Sequence, residues 1–100
     1  MITKQEIFKT IQDNKETIKS FGVTEIGLFG SYVRGDQNES SDIDFLVNYS
    51  KGEMDYFKFF NFCEMINTLF SENKIDVITK NGLSEFIGPY ILKEVEYAKI

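Results

Sequence analysis

GSYVRGDQNESSDIDFLV, residues 30–47, connects two apolar segments of the chain. Its Gly-Ser pair directly follows the first apolar segment, and ten residues then separate Ser31 from the sequence Asp-Ile-Asp at 42–44. A second apolar segment follows these aspartates. The pattern predicts a strand that ends in a tight turn, then a polar loop, and then a second strand that begins with two acidic residues.

The two aspartates are candidate ligands of divalent cations. Side chains alternate between the faces of a strand, so Asp42 and Asp44 would share one face. Ile43, Phe45 and Val47 would then point into the core. The Cα atoms of the aspartates would lie about 6.6 Å apart, which is two strand rises. This separation suits two carboxylates that bind cations about 3.5–4 Å apart.

Groups that can bind phosphate are predicted at the other end of the stretch. Gly30 lets a ligand approach the backbone closely, and Ser31, with nearby amides at a helix start, can hydrogen-bond a phosphate. Asp76 interrupts the apolar segment KIDVIT (74–79), where a charged residue needs a partner or an exposed face. A lone strand aspartate or a lone Asp-x-Asp is a weak signal. Together with the Gly-Ser pair, the three aspartates indicate one site for cations and a phosphate.

The composition limits the possible functions. One hundred residues, of which 42% are apolar, are expected to form a single globular domain over 1–100. No run of about eighteen apolar residues and no signal-peptide pattern is present, which predicts a cytoplasmic protein without a membrane segment. Histidine is absent, which excludes Ser-His-Asp and Cys-His triads and most zinc sites. A net charge of −5 argues against nucleic acid as the primary ligand and suits metal ions and a basic protein partner.

Arg34 and Cys63 each allow two interpretations. Arg34 is the one arginine among eleven basic residues, and it lies within the stretch. It could bind a phosphate through two of its guanidinium nitrogens, or it could anchor the loop by pairing with Asp36 or Glu39. Cys63, the single cysteine, lies in an aromatic helical segment, where a buried structural thiol is favoured over a nucleophile.

Periodicity and turn signals predict an α+β fold, a small mixed sheet packed with helices. The predicted helices are Thr3–Ser20 with Thr3 as its cap, a short turn Ser31–Arg34, Asp55–Phe70, a short helix Ser84–Ile87 that ends at Gly88, and Tyr90–Lys99 opened by Pro89. The predicted strands are Val23–Phe29, Asp42–Asn48 and Lys74–Thr79, with turns at Tyr49–Glu53 and Lys80–Gly82. The Asp55–Phe70 helix carries three extra aromatic residues: Tyr56, Phe57 and Phe60. They favour a helix that is buried on two sides, and the alternative is that part of this surface contacts a partner.

The stretch resembles the signature of the nucleotidyltransferases related to DNA polymerase β, in which Gly-Ser is followed ten residues later by Asp-x-Asp. It is most similar to the minimal nucleotidyltransferases, small proteins commonly encoded beside a toxin with a HEPN domain. Asp76 matches the third carboxylate of that pattern, and Tyr32 departs from it, because many members carry a basic residue there. The other positions that fit are Gly30, Ser31, Arg34, Gly35, Ser41, Asp42, Ile43, Asp44, Leu46 and Val47.

The resemblance implies transfer of AMP from ATP to a tyrosine of a cognate HEPN ribonuclease toxin, in a hetero-oligomer in which this chain is the antitoxin. Two Mg²⁺ ions would stabilise the attacking and leaving oxygens. Asp42 and Asp44 would bind both ions, and Asp76 would complete the ion on the acceptor side. Gly30 and Ser31 would hold the β- and γ-phosphates, with Arg34 nearby.

Two other functions remain open from the sequence. A binding-only antitoxin would mask the toxin by contact, but such a protein has no physical need for three converging carboxylates. A small-molecule enzyme, such as an aminoglycoside nucleotidyltransferase, usually carries an additional helical domain. One hundred residues leave no room for that domain unless a second subunit supplies it. The sequence does not reveal the preferred base or the number of nucleotides added.

Overall fold

The protein is built on a four-stranded mixed sheet. The computed structural model describes residues 1–50, 52 and 55–100. The strands lie in the order β3-β2-β1-β4; β1 is antiparallel to both of its neighbours, and β2 is parallel to β3. This architecture confirms the predicted α+β fold. The strands are β1 (Val23–Phe29), β2 (Ile43–Tyr49), β3 (Ile75–Thr79) and β4 (Glu96–Tyr97).

Two helices precede β1, and from β1 to β3 the helices and strands alternate in the predicted order. β1 has the predicted bounds, and α3 is the predicted short helix, closed by Gly35 with φ +86°. A 3₁₀ turn, Lys80–Gly82, follows β3 where a turn was expected. The helices are α1 (Lys4–Asp13), α2 (Lys15–Ser20), α3 (Ser31–Arg34), α4 (Tyr56–Leu69) and α5 (Gly88–Glu94).

The N-terminal segment forms two helices instead of the one predicted. Thr3 caps α1 as expected, and its hydroxyl accepts a hydrogen bond from the Glu6 amide at 3.1 Å. The helix breaks at Asn14, whose side chain donates to the Thr10 carbonyl at 2.8 Å. Asparagine competes with helical hydrogen bonds in this way, and the interruption was not visible in the apolar spacing.

The C-terminal segment differs most from the prediction. Residues 85–87 form a turn, so the expected helix Ser84–Ile87 is wrong, and Gly88 begins α5 instead of ending a helix. Pro89 lies in the first turn as predicted, but α5 ends at Glu94, and the chain then forms β4 against β1. This pairing requires Gly27, because a Cβ there would lie 2.6 Å from Cγ2 of Val95.

The two faces of the sheet are covered differently. Helices α1, α2 and α4 pack on one face and enclose the main core, which contains Ile7, Ile26, Phe45, Phe62 and Ile66. α5 covers the other face over a smaller cluster, in which Phe29 and Leu46 contact Ile91. Consequently, the sheet face under α5 has less apolar burial and more room for polar groups.

The prediction that α4 is buried on two sides is wrong at its start. Tyr56, Phe57 and Phe60 are 76%, 74% and 52% exposed, because only the face that carries Phe62 and Ile66 meets the sheet. Asp55 caps the helix, and its carboxylate accepts a hydrogen bond from the Lys58 amide at 2.8 Å. The turn predicted at 49–53 lies partly outside the described residues. In the part of the chain that is described, no helix has both the length and the hydropathy needed to cross a bilayer.

Cys63 faces the main core from α4. It is half-buried instead of fully buried. Burial, and then the neighbouring charge of Glu64, raise the pKa of its thiol above the ordinary value. A raised pKa reduces the fraction of thiolate, so the environment favours the structural interpretation of this cysteine over the nucleophilic one.

Candidate active site

Three carboxylates converge on the sheet face that α5 covers. Asp44 on β2 and Asp76 on β3 are direct neighbours in the parallel pairing, so their side chains leave the sheet side by side. Asp42 directly precedes β2, two residues before Asp44, and therefore lies on the same side. One oxygen from each carboxylate lies within 4.8 Å of the other two. The structure thus brings together the three acidic residues that the sequence singled out.

The cluster concentrates negative charge, which the nearby Arg34 offsets only in part. Asp42 and Asp44 are half-buried, and Asp76 is exposed. Burial, and then the charges of Asp76 and Asp42, raise the pKa of Asp44 from 3.8 to about 6. Hard cations such as Mg²⁺ prefer oxygen ligands, and several negatively charged carboxylate oxygens close together form such a ligand set. The residues present therefore fit a divalent cation, which Asp42, Asp44 and Asp76 would hold.

Gly30 packs directly against Asp44. It follows β1, whose last residue Phe29 pairs with Asp44 on β2. Its backbone has φ +80° and ψ −151°, a region that is essentially restricted to glycine. A Cβ at this position would lie 2.2 Å from Oδ2 of Asp44. Hence the Gly-Ser turn touches the acidic cluster, and Ser31 is partly exposed as the first residue of α3.

Arg34 anchors this turn to α5. Its guanidinium donates to Glu94 at 3.0 Å and to Asp36 at 3.3 Å. The same Glu94 carboxylate accepts a hydrogen bond from the Gly30 amide at 2.8 Å. Pairing with Asp36 was one of the two predicted anchors, and Glu39 is not among the partners that the described residues give Arg34. The geometry favours the anchoring interpretation of Arg34.

Sequence reasoning missed Glu94. It was placed inside the last predicted helix without a role. One signal was available, because Glu94 lies three residues after Ile91 and so shares the inward face of α5. A charged side chain on an apolar helix face needs a partner, and here the partner comes from a turn more than sixty residues earlier.

A cavity of about 540 Å³ opens between Asp44 and α5. Asp44, Gly30 and Arg34 line one side of it, and Tyr90 with Ile87 line the other. Its volume is within the range of small-molecule sites in proteins. The apolar wall suits a ring system. The charged wall suits phosphates when a cation is bound at Asp44.

Tyr32 does not reach this cavity. Its side chain is 2% exposed and belongs to the main core, on the opposite face of the sheet. Its buried hydroxyl has no hydrogen-bond partner among the described residues. Tyr32 therefore packs in the main core, where it replaces the basic residue that many members of the family carry at this position.

A mixed sheet with an Asp-x-Asp pair, a third aspartate on the adjacent parallel strand and a Gly-Ser turn against them defines a nucleotidyltransferase. The model of the nucleotidyltransferase domain family matches residues 7–100, and the chain belongs to this family. It is also 37% identical over 98 residues to the protein adenylyltransferase MntA of Thermococcus cleftensis, with 97% of each chain covered. The resemblance to the minimal nucleotidyltransferases is confirmed, and the chain is an enzyme of this class.

The fold is shared with solved structures that include two toxin–antitoxin complexes. One is a toxin–antitoxin with AMP-PNP, with a TM-score of 0.65 and 21% identity over 96% of this chain and 72% of that chain. The other is the Shewanella oneidensis tri-AMPylated HEPN toxin in complex with a minimal nucleotidyltransferase antitoxin, with a TM-score of 0.56 and 18% identity over 93% of this chain and 66% of that chain.

Proposed function

We propose that this protein transfers AMP from ATP to a tyrosine hydroxyl of a HEPN-domain ribonuclease toxin and so acts as its antitoxin. The observation that carries the proposal is the convergence of Asp42, Asp44 and Asp76 beside the Gly30-Ser31 turn. The relative in T. cleftensis is named a protein adenylyltransferase, and a structural neighbour is a complex of antitoxin and AMPylated toxin. The name of the relative supports a protein acceptor, and the structural neighbour supports a hetero-oligomer of antitoxin and toxin.

In the proposed reaction the acceptor oxygen bonds to the α-phosphorus, the bond from that phosphorus to the bridging oxygen breaks, and pyrophosphate leaves. Asp42 and Asp44 would hold the Mg²⁺ ions, with Asp76 as a further ligand on the acceptor side. When bound, two such ions neutralise the charge that develops on the attacking and leaving oxygens. Asp76 is the exposed member of the three, and we assign it the proton of the acceptor hydroxyl.

The triphosphate is assigned to the Gly30-Ser31 turn. Gly30 lets the ligand approach the backbone, and the Ser31 hydroxyl would hydrogen-bond the β- or γ-phosphate. The base and ribose are assigned to the cavity wall that contains Ile87 and Tyr90, opposite the carboxylates. All of these residues lie on the sheet, on the helices that pack on it or in the turns between them, and we propose that they form one domain. The reaction requires ATP, and we assign the protein to the cytoplasm, where ATP is supplied.

The test combines the protein with a HEPN-domain toxin encoded beside it, together with ATP and Mg²⁺. Mass spectrometry of the toxin is expected to show one or more added AMP groups. Asp42→Ala and Asp44→Ala should each abolish the addition, because each removes a cation ligand. Asp13→Ala is the matched control, since Asp13 is an exposed aspartate on α1, on the opposite face of the sheet. Near-wild-type addition by Asp42→Ala would reject the assignment.

The same reagents separate catalysis from masking. The ribonuclease activity of the toxin is measured with the wild-type protein in the presence and in the absence of ATP. Catalytic silencing requires ATP and persists after the two proteins are separated. Equal inhibition without ATP would support the binding-only alternative.

A further inference from the structure

Glu94 connects α5 to the turn beside the acidic cluster. Its two carboxylate oxygens are used in different ways: Oε2 accepts from the Gly30 amide at 2.8 Å, and Oε1 accepts from the Arg34 guanidinium at 3.0 Å. The Glu94 side chain is 25% exposed and that of Arg34 is 53% exposed. Glu94 is therefore the more protected partner of the ion pair. Its hydrogen bond from the Gly30 amide is charge-assisted, and such a bond is stronger in a protected position than at the open surface.

The local sequence does not explain a carboxylate at this position. Glu94 is the last residue of α5, where the helix dipole disfavours a negative charge. It also adds negative charge next to Asp44, which already faces Asp76 and Asp42. What compensates for both effects is the pair of donors from the turn, the Gly30 amide and Arg34.

Gly30 is the residue that most needs such a restraint. It precedes the four-residue α3 and adopts a positive φ, and glycine can leave this conformation more easily than any other residue. A rotation of the peptide before Gly30 would turn its amide away from Glu94 and change the φ angle that shapes the turn. The hydrogen bond to Glu94 opposes that rotation, and Arg34 holds the acceptor in place.

We propose that Glu94 is a positioning residue, which fixes the Gly30-Ser31 turn for binding the triphosphate. This inference rests on the proposed function, because it assigns the supported turn to ATP. It also assigns Arg34 an indirect role: Arg34 acts through Glu94 and does not contact the nucleotide.

The kinetic test compares Glu94→Ala, Glu94→Gln and the control Glu96→Gln for AMP transfer. Glu96 lies two residues further on and pairs with Lys4, away from the site. Glu94→Ala should raise the KM for ATP by about tenfold, the usual effect of losing a supporting partner, with a smaller change in kcat. Glu94→Gln keeps an acceptor for the Gly30 amide and should recover part of this loss, while Glu96→Gln should match the wild type.

Two results would overturn the role proposed for Glu94, and a third would overturn the indirect role of Arg34. A lower KM for ATP in Glu94→Ala would mean that the carboxylate competes with phosphate for the Gly30 amide. Unchanged KM and kcat, with only a lower midpoint of unfolding, would mean a purely structural role. Additive effects of Arg34→Ala and Glu94→Ala on KM would mean that Arg34 acts independently of Glu94.

A second measurement does not depend on activity. In nitrogen-15 spectra of the full chain, the Gly30 amide proton should move upfield and exchange faster with solvent in Glu94→Ala than in the wild type. In Glu96→Ala it should not move. An unmoved Gly30 resonance in Glu94→Ala would contradict the proposed restraint. If the wild type transfers no AMP, the proposed function fails, while this spectrum still tests the restraint.

Discussion

Replacing Asp44 by asparagine should stabilise the protein in the absence of divalent cations, even though it removes a candidate cation ligand. Burial, and then the charges of Asp76 and Asp42, raise the pKa of Asp44 from 3.8 to about 6. This difference corresponds to about 3 kcal/mol of folding free energy once the group is ionised. Because Asp44 is only half-buried, screening by solvent reduces the expected gain to about 1–2 kcal/mol. Asparagine has nearly the shape of the neutral acid, so the packing should not change.

The gain should depend on pH in a defined direction. Because the pKa of Asp44 is higher in the folded state than in the unfolded state, the folded state keeps a proton between pH 3.8 and about 6 that the unfolded state has lost. The contribution of Asp44 to stability therefore falls as the pH rises through this window, and the full penalty is present above it. Asp44→Asn has no such group. Its advantage over the wild type should be small near pH 4 and complete near pH 7.5.

Urea denaturation followed by circular dichroism, with EDTA present and at low salt, measures both free energies of unfolding. The control is Glu64→Gln, which removes one negative charge from the exposed face of α4, on the other side of the sheet. The control should change stability by less than about 0.5 kcal/mol. A less stable Asp44→Asn near pH 7.5, or a gain that is equal at both pH values, would refute the electrostatic reasoning.

Four further substitutions test other parts of the site. Gly30→Ala should cost about 1–3 kcal/mol of stability, because its φ is +80° and its new Cβ would meet Asp44; an unchanged denaturation midpoint would argue against this geometry. Ser31→Ala should raise the Kd for ATP with Mg²⁺, measured by calorimetry, by about tenfold and leave the unfolding free energy unchanged. Asp76→Asn should lower kcat more than it lowers ATP affinity, and equal losses in steady-state kinetics would contradict a role on the acceptor side. Tyr32→Phe should leave thermal stability unchanged or raise it by up to about 1 kcal/mol, since the buried hydroxyl has no partner in the described part of the chain; a large loss would reveal a hidden partner.

The sequence predicted the centre of the fold because its signals there are local. β1 and α3 have the predicted bounds, and β2 is shifted by one residue, since strand alternation and the glycines at 30 and 35 define these elements without help from distant residues. The convergence of Asp44 and Asp76 depends on more than alternation. It requires β2 and β3 to be parallel and in register, which a pattern on either strand alone does not specify.

What the sequence could not predict depends on contacts between distant segments. The sequence predicts helix through residues 95–97, but α5 ends at Glu94 and β4 follows, because Gly27 of β1 leaves room for Val95 and Tyr97. The role of Glu94 likewise depends on where α5 ends over the Gly30 turn. In both cases the deciding residue is more than sixty positions away, and no local propensity reports it.

The two faces of the sheet divide stability from function. The face under α1, α2 and α4 carries the main apolar core, including Ile26, Phe45 and Phe62, and contributes most of the folding free energy. The face under α5 carries the features that cost free energy. These are the backbone conformation of Gly30 and the repulsion between the negative charges of Asp44 and Asp76. A cation bound to these carboxylates would remove their repulsion only in the folded state, because the unfolded chain does not hold them together. The cost of assembling the acidic cluster is therefore also the physical basis for coupling cation binding to the stability of this face.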